Sequence, residues 1–600
     1  MRKINCFLGK VFTLVVFGSF LLNSFPVKAQ DVVTSDDISG GFVFRTSRKA
    51  VQKKVVQRAS STVKRVKTLV IATTKRIRKQ TVIVAKTIPK RIKTKEVNPT
   101  VLATDKTINR KPKEEVARIF AGAGEYYLRN DEVDKAVDIF REASLLDEKN
   151  KEVKSGFSEA LTRKGDLLLE ADNPTTAKSY YLEAIKYNEK NAGAYAGLGE
   201  MYEVTNETDK AFESYKKALS LDPDLTEIYT PLGILFYQKS EIAEADAYLT
   251  KALATSADNA ETQLFLGLVR LKQTKTNEAL VAFKRAIQID PNFAEAHYYI
   301  GETLDQLGNK TESMAAYQEA VRINPKYTEA WFDLGVAYYN AEKYDDAIVA
   351  YKKAISLKLD LGEAYSNLGD VYRQTNKLDD AIGAYRLATA FIKDDAELYT
   401  NFGYVAARLA LDPNKRGFWD TAIANFKKAN ELKPDYISFS NLGWAYYNSS
   451  QADAKVNLKP EAAAKLQEAK TTLLEAIKLN DKFAAPFLNL GMAYADSGDY
   501  KNAIENLKRA NDLRKDWLPA LNELGNAYGN SNDLDNAVKQ YRRVLEIDPD
   551  FAAAVYSLGE IEFRRKNLAE AKKAYQKLLQ LKRNDLALRL EIVTKGAVKK

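Results

Sequence analysis

Residues 328–361 read TEAWFDLGVAYYNAEKYDDAIVAYKKAISLKLDL, and the 34 residues before them read AEAHYYIGETLDQLGNKTESMAAYQEAVRINPKY. In the first stretch Trp331, Leu334, Gly335 and Tyr338 fall on one helical face, and after a turn at Glu342-Lys343 so do Ala347, Tyr351 and Ala354. Apolar residues at i, i+3, i+4 and i+7 predict an amphipathic helix. Two such faces joined by a polar turn predict a helical hairpin. The small residues Gly335 and Ala347 stand where two backbones must approach, with aromatics beside them. One hairpin is too small to bury its own apolar face, so it needs a neighbour of the same kind.

The glycine slot runs from Gly124 to Gly559, and from Gly165 to Gly403 it recurs at seven equal intervals of 34 residues. Alanine recurs in the second helix at Ala136, Ala211, Ala347, Ala381, Ala503 and Ala537, with Ser313 a departure; a closing proline stands at Pro223, Pro291, Pro325, Pro434 and Pro549. This spacing of Trp, Leu-Gly, Tyr, Ala, aromatic, Ala and Pro resembles the tetratricopeptide repeat. The resemblance implies an all-α fold, a right-handed superhelical α-solenoid of about thirteen repeats over residues 114–585. Repeats 1 and 2 are seven residues further apart than the rest. Enlarged turns are expected in repeat 9, at Leu411–Gly417, and in repeat 10, from Ser449 to Pro460. The segment LALRLEIVTKGAVKK reads as a capping helix and tail over 586–600, apolar side inward and lysines outward.

Composition adds a second part to the chain. The net charge of +11 conceals a split, because residues 45–95 hold 18 Lys and Arg and no Asp or Glu. Residues 1–113 balance at +21 and the remainder at −10. Before the basic stretch, Arg2, Lys3 and Lys10 precede an apolar run from Val11 to Leu22, and Val27-Lys28-Ala29 places small side chains before Gln30. That is the pattern of a cleaved signal peptide over 1–29, and twelve apolar residues fall short of the ~20 that span a bilayer. Export to a periplasm or beyond is the expectation. Residues 30–113 are expected to be a basic, disordered arm or linker. Its cations suit an anionic membrane or glycan surface, with nucleic acid disfavoured by export.

The chemistry available to the body is narrow. Cys6 lies in the leader and the chain has one histidine, so the commonest nucleophiles, bases and zinc ligands are missing together. His297 occupies the slot held by Trp331 one repeat later and is expected to pack between helices. No catalytic residue, metal site or cofactor is expected, and the function class is a protein-binding surface.

By resemblance, the first helices of successive repeats line a concave groove that receives extended or helical segments of partner proteins. The slot two residues before the glycine carries Asn367, Asn401, Asn441 and Asn489 in repeats 8 to 11. A carboxamide offers one acceptor and two donors, and the row is similar to the asparagine ladder in the repeat domain of O-GlcNAc transferase, without a catalytic domain following. The slot after the glycine adds Asp370, Tyr404, Trp444, Met492 and Asn526, and Arg373 lies nearby. An acidic body favours basic or neutral partners. The resulting expectation is a non-enzymatic scaffold of the cell envelope. The alternative is a component of an envelope polysaccharide or protein export machine.

Overall fold

The computed structural model describes residues 111–599, together with Asn98. The expected leader and the basic stretch 45–95 lie outside the described residues. These fall into two compact units, one ending at Ala337 and the other beginning at Tyr338. Every element in both is helical, and no strand occurs among the described residues.

Both units are built from the same hairpin. In the first, pairs run from Lys113–Arg129 with Val133–Leu146 to Ala294–Gln306 with Lys310–Ile323. In the second, they run from Gly362–Gln374 with Leu378–Phe391 to Ala552–Arg564 with Leu568–Gln580, followed by a single helix, Asn584–Val593. Asparagine and aspartate side chains close several helix starts: Asn191 accepts from the Ala194 N–H, Asn259 from Thr262 and Asp395 from Leu398. Such caps satisfy backbone donors that have no partner inside the helix. Outside repeat 9, the turn inside the hairpin places one residue in the left-handed region, for example Asn206, Thr274, Glu342 and Asn376. Gly308 and Gly498 fill that position without steric cost.

The hairpin is held by a ring or branched side chain lying over the glycine. A methyl added to Gly369 would sit 2.6 Å from a ring carbon of Tyr385, and one added to Gly267 2.4 Å from Phe283. Over Gly443 and Gly491 the filler is Leu473 or Leu507. Second helices also pack on the next first helix, as Val133–Leu146 does on Lys151–Glu170 and Tyr500–Leu513 on Leu518–Asn530. In addition, first helices of successive repeats touch one another: Lys113–Arg129, Lys151–Glu170 and Ala192–Val204 in one unit, and Tyr436–Lys455 through Ala552–Arg564 in the other. This closer approach makes the first helices the inner row of each stack.

Three departures from the regular interval resolve differently. The seven extra residues before Gly165 lengthen the first helix of repeat 2, Lys151–Glu170. In repeat 9 the enlarged turn contains a short 3-10 helix, Pro413–Lys415. Repeat 10 corrects the sequence-based expectation: instead of a long turn, both helices grow, to 20 residues (Tyr436–Lys455) and 21 residues (Lys459–Leu479). Near the tip Asp453 joins the two arms through Lys465 at 2.8 Å and meets Arg416 in the turn of repeat 9 at 3.3 Å.

The C-terminal helix also differs in one respect. Ala587 and Leu590 face inward, with Leu590 packed against Gly559. Leu588, Ile592 and Val593 nevertheless point to solvent, Ile592 at 66% exposure. The apolar side is therefore two-faced rather than wholly inward.

Candidate functional site

Along the inner row, the residue after the glycine is matched to the side chain that covers it. Where a tyrosine covers the glycine, its hydroxyl is buried among helices and needs an acceptor. The chain supplies one. Tyr181 donates to Asp166 at 2.8 Å, Tyr385 to Asp370 at 2.7 Å and Tyr541 to Asn526 at 2.7 Å. In repeat 3, Tyr215 donates instead to Glu203, one turn further on, at 2.7 Å. Where phenylalanine or leucine covers the glycine, no acceptor is needed, and the matched residue is Ile234, Leu268, Tyr404, Trp444 or Met492. Glu125, Val336 and Glu560 depart from the rule. The pairing was readable in the sequence as a coupling between the slot after the glycine and the slot fifteen residues beyond that one. Reading each slot singly missed it.

These pairs put carboxyls in half-buried positions at Asp166 and Asp370 and in a buried one at Glu203. Burial pushes the Asp166 carboxyl up to about 7; the Tyr181 hydrogen bond opposes this, while the charges of Glu200 and Glu159 add to it and Arg163 subtracts. Burial likewise pushes Glu203 up to about 7, against the Tyr215 hydrogen bond and with help from Glu200. In the second unit, burial raises Glu523 and Asp496 as well.

The asparagine row lies deeper than a ligand-facing ladder requires. Asn441 and Asn489 are 0% exposed. Asn367 is buried and donates to the Tyr351 hydroxyl at 3.4 Å; Asn401 is buried and donates to Asp370 at 2.9 Å. The physical reason is that each first helix packs on the repeat before it, so this slot faces the preceding hairpin. Asn401 thereby ties repeat 9 to repeat 8 rather than offering its amide to a partner. Trp444, at 3% exposure, is a core residue set edge-on against Trp419 with ring centroids 5.6 Å apart. It too is corrected from groove anchor to packing.

The remaining candidates keep a solvent-facing part. Asp370 and Arg373 approach to 3.8 Å. Tyr404 is half-buried, its hydroxyl 3.1 Å from Arg408 and its ring 5.9 Å from that guanidinium. Met492 is half-buried against the core of its unit. Asn526 donates to Glu523 at 3.0 Å while accepting from Tyr541. His297 is half-buried and makes a local tie rather than packing between helices: its Nε2 lies 3.1 Å from the Pro291 carbonyl, as Trp331 Nε1 lies 3.0 Å from that of Pro325 and the Tyr229 hydroxyl 3.0 Å from that of Pro223. Among the described residues, no group of three or more His, Cys, Asp or Glu could hold a metal, and no helix is long and apolar enough to cross a membrane.

Family models named Tetratricopeptide repeat match residues 332–396, 484–516 and 522–585, coinciding with the hairpins described above. The chain is a tetratricopeptide-repeat protein. A further model, the Cilia and flagella-associated protein 70 C-terminal domain, matches residues 153–363 of the tetratricopeptide array. These models describe repeats and not a catalytic domain. No curated protein matches the sequence.

Several solved structures are similar to parts of the array. MamA protein is 30% identical over 28% of this chain and 91% of its own, with a TM-score of 0.26. YrrB, described as a TPR protein with an unusual peptide-binding site, is 27% identical over 31% of this chain and 95% of its own, with a TM-score of 0.27. The APC/C hetero-tetramer Cut9-Hcn1 is 16% identical over 77% of this chain and 99% of its own, with a TM-score of 0.32. Tetratricopeptide domains bind other proteins or peptides, and a protein-binding array is the coarse function of this one.

Proposed function

We propose that this tetratricopeptide array is a non-enzymatic scaffold of the cell envelope that holds extended segments of partner proteins along its inner row of first helices. The observation that carries the reading is the row itself. First helices touch from repeat 8 to 9 and from repeat 10 to 12, and one slot presents half-buried Asp370, Tyr404, Met492 and Asn526 in repeats 8, 9, 11 and 12, with the buried Trp444 at the same slot of repeat 10. A slot repeated along an inner row suits a chain laid across several repeats better than a compact ligand. The leader 1–29 supports export, and the cations of 45–95 support a tether to an anionic surface, each contributing roughly 1 kcal/mol near such a surface.

The test is a pull-down from envelope extract with the full chain, in which Tyr404 and Met492 are changed together to Asp. Loss of captured partners is expected, while Val349→Asp on an exposed second-helix position (64% exposed) leaves them bound. Equal capture by all three proteins overturns the inner-row reading. Sedimentation with anionic vesicles at low and high salt tests the tether, which fails if binding is absent or indifferent to salt.

A further inference from the structure

The last helix, Asn584–Val593, leans on repeat 13 through Ala587 and Leu590, with Leu590 against Gly559 of the helix Ala552–Arg564. On the far side, at 3.6 residues per turn, Leu588, Ile592, Arg589 and Val593 share an arc of ~140°. All four are exposed, and the aliphatic side chains of Leu588, Ile592 and Val593 are so by 57%, 66% and 44%. A helix that closes a repeat stack turns a polar face to water. This one turns aliphatic side chains outward around a single arginine, which marks a face that a partner covers.

The charge around this face has one sign. From Arg564 to Lys599 the chain holds eleven Lys and Arg against three Asp and Glu. Each of the three acids is already held by a neighbouring cation: Glu570 by Lys573, Asp585 by Arg583 and Glu591 by Lys599. Lys566, Arg589 and Lys595 have no ion-pair partner among the described residues. The chain reverses twice, at 565–567 and at 581–583, so the turn holding Lys566 lies at the same end of the repeat as Ile592, Val593 and Lys595. Free cations therefore border the exposed aliphatic side chains, with Arg589 among them.

We propose that this face docks the array on an anionic phospholipid surface. Leu588, Ile592 and Val593 enter at the boundary of headgroups and acyl chains, while Lys566, Arg589 and Lys595 meet the phosphates. A long arginine side chain can reach the headgroups while its neighbours insert. The other occupants fit less well. A second copy seated here sets like charges together, and a soluble acidic chain uses the cations but leaves the aliphatic side chains wet. The inference goes beyond the scaffold reading and uses neither the inner row nor the stretch 45–95.

The test reads this face locally. Cys6 is the one cysteine of the chain, so the full chain with Cys6→Ser and Ile592→Cys carries a single nitrobenzoxadiazole label, whose emission rises in an apolar environment. With vesicles of phosphatidylcholine and phosphatidylglycerol, emission about threefold brighter is expected, against little change with phosphatidylcholine alone. Lipid brominated on its acyl chains should quench the gain. The same label at Val349→Cys, an exposed position on the helix Tyr344–Leu357, should not respond, which separates insertion here from attachment through the arm. In K566Q/K595Q, changed only at exposed turn positions, the lipid needed for half of the response should rise about tenfold. An unchanged label at 592, an equal response to neutral vesicles, or an undiminished response in K566Q/K595Q overturns the proposal. So does brightening without lipid as protein concentration rises, the mark of a second copy, or brightening with polyglutamate, the mark of an acidic protein.

Discussion

Tyr385 covers Gly369 with its ring and donates its hydroxyl hydrogen to Asp370, the next residue along, at 2.7 Å. One side chain thus closes the hairpin and fixes a carboxylate on the inner row. Packing and surface chemistry are coupled at this position, so they respond together to substitution.

Gly369→Ala places a methyl 2.6 Å from the ring. Overpacking of this sort costs about 1–3 kcal/mol. Gly383, exposed in the helix Leu378–Phe391, has nothing within 4 Å of an added methyl, and there alanine should stabilise by about 1 kcal/mol through helix propensity. Chemical denaturation of the two variants should give shifts of opposite sign.

Acidification should strengthen the first unit. Asp166 and Glu203 titrate near 7 when folded, against ordinary carboxyl values of 3.8 and 4.5. The folded state then holds more protons between about pH 4 and pH 7, so stability falls as pH rises through that window and is flat above it. Thermal midpoints measured from pH 5 to pH 8 should decline in the native chain and flatten in D166N/E203Q, which should be the more stable protein at pH 8.

Trp444→Ala should behave as a core truncation, destabilising by about 3–5 kcal/mol. A groove anchor would instead lose partner binding at unchanged stability. Denaturation followed by a partner pull-down with the folded fraction separates the two outcomes.

His297→Phe keeps the ring and removes the contact to the Pro291 carbonyl. The expected loss is about 1 kcal/mol, with partner capture unchanged. A calorimetric melt beside the pull-down checks both halves.

The hairpins were legible from the 34-residue interval because a glycine, an alanine and a ring must recur wherever two helices close. Depth was less legible. The slot of Asn367 and Asn401 resembles a ladder when helices are drawn singly, yet contact between successive first helices turns it into a joint. The slot after the glycine varies in depth, half-buried at Asp370, Tyr404, Met492 and Asn526 but closed at Ile234, Leu268 and Trp444, and nothing in the residue type alone announces which. The extension in repeat 10 escaped because Ser449–Pro460 contains Asn457 and Pro460, residues typical of turns. In the fold, Asn457 takes the left-handed position at the tip and Pro460 sits in the first turn of the following helix.

The extension has a geometric consequence. Gly443 and Gly491 are 48 residues apart rather than 34, and the surplus divides as seven on each arm, close to two full helical revolutions. Seven residues return the azimuth to within ~20° of its start, so the insertion is phase-neutral: repeat 11 begins with its side chains pointing as they would have without it. A paddle of this length can therefore be grafted onto, or excised from, any repeat without rotating its downstream neighbours.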